Sequence, residues 1–284
     1  MQPKNTAVLL ISCPDRKGLV AAVAGLLYRF DANITHADQH QDRDAGLFFM
    51  RVEWVVHGFN LAGFQAEFEE LAAELHMQWQ LKRMDDTPRV ALFVSQHLHC
   101  YVDVLQRQRA GELNCLIPLV ISNHKDGEDI ARFYGIEFHH IPAKKDGKQE
   151  TEAAQRALLT QRNIDLVVLA RYMQILSPEF VDAYPRRIIN VHHSFLPAFI
   201  GARPYHAAFE RGVKLIGATS HYVTTVLDDG PIIEQDVVRI SHRNQVEDLI
   251  QKGRDIEKVV LSRALMWHLE HRILCYGNKT VVFD

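Results

Sequence analysis

The sequence is poor in cysteine: Cys13, Cys100, Cys115 and Cys275 are far apart in 284 residues, with no Cys-x-x-Cys among them. That spacing suggests neither a disulfide framework nor a thiolate zinc site. Long apolar runs are missing too. None approaches the ~20 residues a membrane span needs, and Met1-Gln2-Pro3-Lys4-Asn5 leads into a short apolar strand without a signal-peptide core. A cytoplasmic location and no membrane partner are expected. Nor is there a surplus of positive charge: 32 Lys and Arg against 35 Asp and Glu leave a net charge of −3, with the basic residues scattered. Nucleic acid is therefore not expected as a partner, and a small molecule is. The close histidine pairs His97/His99, His139/His140 and His268/His271 lack converging carboxylates or thiolates, so no metal is expected.

What is there is enough for two domains with a sizeable core. Thr6 to Cys13 is a buried strand run, and Gly18 to Arg29 has helical apolar spacing. Ile34 to Gln41 and Leu47 to Val56 form a hairpin through Asp42-Arg43-Asp44-Ala45-Gly46. Leu61 to Leu75 is amphipathic, and Met77 to Leu81 closes the sheet. The order βαββαβ is the ferredoxin-like unit. A polar stretch from Arg83 to Pro88 interrupts both periods and reads as a linker. Beyond it, apolar runs at Val90 to Val94, Leu116 to Ile121, Phe138 to Ile141, Leu166 to Leu169 and Ile188 to Val191 alternate with helical segments such as Glu150 to Arg162. A final helix is read from about Gln245 to Leu274. The expected class is α/β: a ferredoxin-like domain over 1–84, then a doubly wound, mostly parallel sheet over 85–284.

Chemistry concentrates in Asn190-Val191-His192-His193-Ser194-Phe195-Leu196-Pro197, with His221 and Asp228-Asp229-Gly230 downstream. Strand alternation sends Asn190 and His192 to one face and His193 to the other. An amide donor beside an imidazole suits the oxyanion of a tetrahedral intermediate, and a carboxylate such as Asp228 can take a proton from a nucleophile. Parallel sheets bind ligands beyond the carboxyl ends of their strands, where Asn190 and His192 fall. Taken alone, His192 reads as a core histidine and Asp228-Asp229-Gly230 as an ordinary turn; their combination points to acyl-group chemistry.

From Arg89 to Phe283 the sequence resembles the folate-dependent formyltransferases, most densely at Ala170-Arg171-Tyr172-Met173-Gln174-Ile175-Leu176-Ser177-Pro178, at Asn190-Val191-His192 and at Gly230-Pro231-Ile232-Ile233-Glu234-Gln235. The segments Cys13-Pro14-Asp15-Arg16-Lys17-Gly18-Leu19 and Asp31-Ala32-Asn33-Ile34 resemble the ligand-binding edges of an ACT domain. An ACT-like domain ahead of such a catalytic domain, with His193 inside the motif, resembles the formyltetrahydrofolate deformylase family. The resemblance implies catalytic Asn190, His192 and Asp228, supported by His193 and His221. It implies folate contacts from Met173, Gln174, Leu176, Thr224, Thr225 and Leu227, and an amino-acid effector such as glycine or methionine near Asp15, Gly18 and Asn33. It further implies a homo-oligomer that needs no cofactor, releases formate and balances the one-carbon folate pool for purine synthesis. Relatives acting on glycinamide ribonucleotide resemble one another in a glycine-rich phosphate loop after the first strand. Here that loop is Ser95-Gln96-His97-Leu98-His99-Cys100, without glycine. Water is thus the expected formyl acceptor. Transfer to another amine, or a catalytically silent folate or amino-acid binder, remains the alternative.

Overall fold

The computed structural model describes residues 5–143, 147–198 and 203–284; residues 1–4, on which the leader reading rests, lie outside them. Contacts divide the chain into two compact units. One holds Met1–Thr87 with Glu270–Tyr276 and Thr280–Asp284; the other holds Pro88–Leu269 with Gly277–Lys279.

The first unit runs β1 (Thr6–Pro14), α1 (Leu19–Arg29), β2 (Ile34–Asp42), β3 (Leu47–Val55), α2 (Leu61–Glu74) and β4 (Gln78–Arg83), with strand order β2-β3-β1-β4. All three pairings are antiparallel. Gly18, at φ +93°, turns the chain into α1, where Leu19, Val23, Leu26 and Leu27 make the buried stripe. The Asn60 side chain accepts the Gly63 N–H and caps α2, which buries Phe64, Phe68 and Ala72. Alternate residues of β1, Ala7, Leu9, Ile11 and Cys13, join the core beneath these helices.

The second unit runs β5 (Arg89–Val94), α3 (His99–Arg109), β6 (Leu116–Ser122), α4 (Glu128–Tyr134), β7 (Glu137–His140), α5 (Lys148–Gln161) and β8 (Leu166–Ala170). It continues through α6 (Pro178–Asp182), β9 (Ile188–His192), α7 (Pro204–Arg211), β10 (Leu215–Tyr222), β11 (Ile232–Arg239) and α8 (Val246–Leu269). The sheet order is β11-β10-β9-β8-β5-β6-β7. β9 through β7 are parallel, and β10 and β11 are antiparallel additions at one side. The chain winds outward from β5 through β6 to β7, then restarts at β8 on the other side of β5. This reversal opens a crevice at the carboxyl ends of the strands. The expected doubly wound, mostly parallel sheet is present; β10 and β11 were not among the expected strands.

The last helix ends at Leu269, short of Leu274, and the chain then makes a hairpin of β12 (Ile273–Tyr276) and β13 (Lys279–Val282). Leu274, Val281 and Phe283 pack with Val8, Leu10, Phe49 and Met84, the side chains on the other face of the first unit's sheet. β1 is an unbroken apolar run because both its faces are covered. A buried Arg51–Glu53 pair (3.0 Å) fastens the segment, Arg51 donating to the carbonyls of His271 (3.0 Å) and Glu270 (3.2 Å). A linear division at 84/85 does not contain this return of the chain to the first sheet.

Candidate active site

Three segments converge at the carboxyl end of the second sheet: the loop after β8, the end of β9, and the connection from β10 to β11. They enclose a cavity of about 280 Å³ lined by Asn190, His192, His193, His221 and Asp228, and by Met173, Gln174, Leu176, Thr224, Thr225 and Leu227. Every residue singled out for catalysis or folate contact therefore borders one space. Leu176 is also part of the core, whereas Met173 and Leu227 stand half exposed at the mouth.

The antiparallel β10 places His221 opposite Asn190, and Asn190 Nδ2 donates to His221 Nε2 at 3.2 Å. His221 Nδ1 lies 3.0 Å from the Tyr222 carbonyl, which can only accept, so Nδ1 carries the proton and Nε2 the lone pair. Burial holds the His221 pKa below its usual value, favouring this neutral tautomer, although the Tyr222 carbonyl and Asp228 favour the charged form. A neutral His221 thus fixes the Asn190 amide and leaves its second N–H for another acceptor.

Asp228 Oδ2 lies 3.3 Å from His192 Nδ1, and Oδ1 lies 3.8 Å from His221 Nε2. Burial pushes the Asp228 pKa up, but the hydrogen bond from His192 and the attraction to its imidazole outweigh it, holding the carboxyl below its usual range. His192 Nε2 is buried and has no partner among the described residues. Asp228 adopts φ +53°, a conformation aspartate tolerates. Behind it, a Cβ on Gly230 would lie 1.7 Å from the Tyr222 carbonyl oxygen, so this close approach admits only glycine.

One placement differs from the sequence reading. His193 was expected on the face opposite His192; it does border a separate apolar concavity beside Tyr205 and Ile216, but it also borders this cavity, its ring centroid 5.1 Å from that of His192. Strand geometry ends at His192 and the chain bends at His193, so alternation by two no longer governs.

Four functional candidates escaped the sequence reading. Arg171 lines the cavity at φ +62°. Its Nε lies 3.4 Å from the buried Glu257, which also binds His99 Nε2 (2.7 Å) and the Tyr205 hydroxyl (2.5 Å). Arg171 is the one arginine of the quoted motif Ala170-Arg171-Tyr172, directly after an apolar strand, a position that could have drawn notice. Glu257, His99 and Tyr205 lie on three different helices and give no local signal. His99, Cys100 and Glu257 could geometrically surround a cation. However, burial and the Glu257 charge raise the Cys100 thiol well above its usual pKa, and Arg171 already supplies positive charge. Rigidity of the loop after β8 comes from Glu152, which accepts the Ser177 N–H at 2.8 Å and the Ser177 hydroxyl, and from Gln155, which donates to Tyr172 at 2.8 Å.

In the first unit, Asp15 and Gly18 line a concavity of about 470 Å³ with Gln39, His40 and Gln41. Asn33 is not with them. Asp15 sits beside Gly46 at the hairpin end of β2, whereas Asn33 precedes the opposite end of that nine-residue strand, roughly 30 Å away at strand rise.

Residues 88–265 match the Formyl transferase family, and residues 7–59 match the ACT domain. The chain is 57% identical over 280 residues to the formyltetrahydrofolate deformylase of Synechocystis sp., with 98% of each chain covered. It is 50% identical over 279 residues to that of Bacillus subtilis, covering 97% of this chain and 93% of the other. The crystal structure of a formyltetrahydrofolate deformylase from Pseudomonas syringae pv. tomato aligns with a TM-score of 0.96 at 48% identity, covering 100% of this chain and 96% of that one. Since the likeness runs through the ACT part as well as the part that carries the cavity, the chain belongs to the formyltetrahydrofolate deformylase family.

Proposed function

We propose that the cavity beyond β8 and β9 holds 10-formyltetrahydrofolate with its formyl carbon against Asn190, His192 and Asp228, and that water is the nucleophile. The chain hydrolyses this substrate to formate and tetrahydrofolate. Asp228 orients the water and takes its proton as the oxygen adds to the formyl carbon. The second amide N–H of Asn190 and the Nε2 side of His192, once protonated, donate to the oxyanion. Asp228 holds His192 by its Nδ1, so Nε2 is directed to the reacting centre. Collapse breaks the C–N10 bond as N10 receives the proton that Asp228 took from the water, relayed through His192, and tetrahydrofolate leaves as a neutral amine. The reaction moves protons and no electrons, and these side chains suffice without a cofactor. Met173, Gln174, Leu176, Thr224, Thr225 and Leu227 form the pterin side of the site.

One observation favours water over a phosphorylated amine. At the carboxyl end of β5, where a phosphate cradle would need glycine, the chain has Ser95 to Cys100, and His99 there is committed to Glu257. Incubation with 10-formyltetrahydrofolate alone, then with glycinamide ribonucleotide, tests this. Formate release at the same rate in both is expected; turnover only with the acceptor would overturn it.

The ACT unit fits a regulatory role, since unregulated hydrolysis would drain activated one-carbon units from the cytoplasm. An amino acid such as glycine or methionine at Asp15 and Gly18 is the proposed effector. The exposed edge strand β2 suits pairing between copies of the chain in a homo-oligomer. Titration of each amino acid against turnover and melting temperature separates these roles, because flat responses would leave assembly as the unit's task.

A further inference from the structure

Arg171 has no part in the steps above, yet it lines the same cavity as Asn190, His192 and Asp228. Among the described residues it is the only lysine or arginine there. It is 7% exposed, and its φ of +62° is a strained conformation for a long L side chain. One edge of the guanidinium faces Glu257, itself anchored by His99 and Tyr205, with Nε at an ion-pair distance of 3.4 Å but not hydrogen-bonded. On the other edge, Nη1 is buried and finds no hydrogen-bond partner among the described residues. A buried charged donor without an acceptor is expensive, so a strained, oriented guanidinium bordering a ligand cavity points to an anionic ligand.

We propose that Arg171 forms a subsite for a small carboxylate, and that its ligand in the reaction is the formate product. The inference rests on the hydrolase reading. Water forms the new C–O bond, the C–N10 bond breaks with its electron pair going to N10, and N10 gains a proton. The formic acid so made loses its own proton at neutral pH and becomes an anion. Asp228, held below its usual pKa in the same cavity, repels that anion, whereas Arg171 attracts it and offers planar N–H donors matching a carboxylate. A second carboxylate of the same chemistry is the glutamate tail of the folate, and the test distinguishes the two.

[13C]Formate is titrated into the full chain without substrate and followed by 13C NMR, for wild type, Arg171→Lys, Arg171→Met and the double variant Arg171→Met/Glu257→Gln. The double variant avoids leaving Glu257 as a buried unpaired charge, and melting curves confirm that each variant is folded. Saturable binding to wild type is expected, weakened at least ~10-fold in both Met variants and less in Arg171→Lys, with product inhibition by formate weakened in parallel. No saturable binding to wild type, or equal affinity in the double variant, overturns the proposal. A KM defect of Arg171→Met seen with 10-formyltetrahydrofolate but not with 10-formyltetrahydropteroate, which lacks the glutamate, assigns Arg171 to the tail and also overturns it. Formate binding needs no turnover, so its failure is separable from failure of the hydrolase reading, which would show as no formate released by wild type.

Discussion

Two carboxylate–imidazole clusters of the second unit, one around Glu257 and one around Asp228, differ in how tightly the carboxylate is held. Glu257 is 1% exposed; His99 at 2.7 Å, Tyr205 at 2.5 Å and Arg171 at 3.4 Å occupy both of its oxygens. Asp228 has looser partners, at 3.3 and 3.8 Å, and its side chain keeps 10% exposure. Burial opposes ionisation in both, and in both the neighbours win and depress the carboxyl pKa. Protonating Glu257 would disrupt three interactions at once, whereas Asp228 can receive a proton through an oxygen with no close donor. A saturated carboxylate fixes structure; an under-coordinated one beside a cavity can take part in chemistry.

The largest expected effect comes from Asp228→Asn, which should lower turnover by ~10²–10⁴ while leaving the melting temperature nearly unchanged. Near wild-type turnover in steady-state assays would remove Asp228 from the base role and erase the contrast. Glu257→Leu should act through stability, costing about 3–5 kcal/mol in denaturant unfolding, because Arg171 is left as an uncompensated buried charge.

His271, in the first unit, supplies a control: an imidazole with no carboxylate partner among the described residues, which burial and then the nearby Lys82 and Arg51 push down to about 4. Its folded pKa lies below its unfolded value, so the unfolded chain binds more protons between the two. Stability should therefore fall as pH drops from about 6.5 towards 4, by at most about 3 kcal/mol. Melts across that range should flatten in His271→Asn, since asparagine tolerates the φ of +51°. The smallest effect is expected for Gly253→Ala, whose Cβ would lie 2.1 Å from the Tyr205 hydroxyl. Pushing Tyr205 off Glu257 should cost about 1–3 kcal/mol of stability without a loss of turnover on the Asp228→Asn scale.

The ferredoxin-like unit was legible because its helices keep a clean period, as in the Phe64, Phe68 and Ala72 stripe of α2, and β1 stands out as an apolar run. The five parallel strands were legible as apolar runs. β10 was not, because Leu-Ile-Gly-Ala-Thr-Ser-His-Tyr is rich in small and polar residues, and its burial comes from lying between β9 and β11. The closing hairpin was absorbed into the last helix, since the break at His271 is marked by a positive φ and by neither glycine nor proline. Asn190 and His192 could be read together because two-residue spacing on a strand fixes a shared face. Arg171 and Glu257 could not, because their meeting depends on tertiary structure alone.

The hairpin at 273–282 also carries a consequence for the order in which the protein is made. Val8, Leu10 and Phe49 leave the ribosome early, but the residues that cover them, Leu274, Val281 and Phe283, follow only after all of 88–269 has been synthesised. Until then one face of the first sheet stays wet, and Arg51 lacks the Glu270 and His271 carbonyls that accept its hydrogen bonds. The first unit to emerge is thus among the last to be finished. A chain truncated after 269 would carry a half-covered sheet, recognisable to chaperones and proteases as incomplete even with the cavity beyond β8 and β9 fully formed.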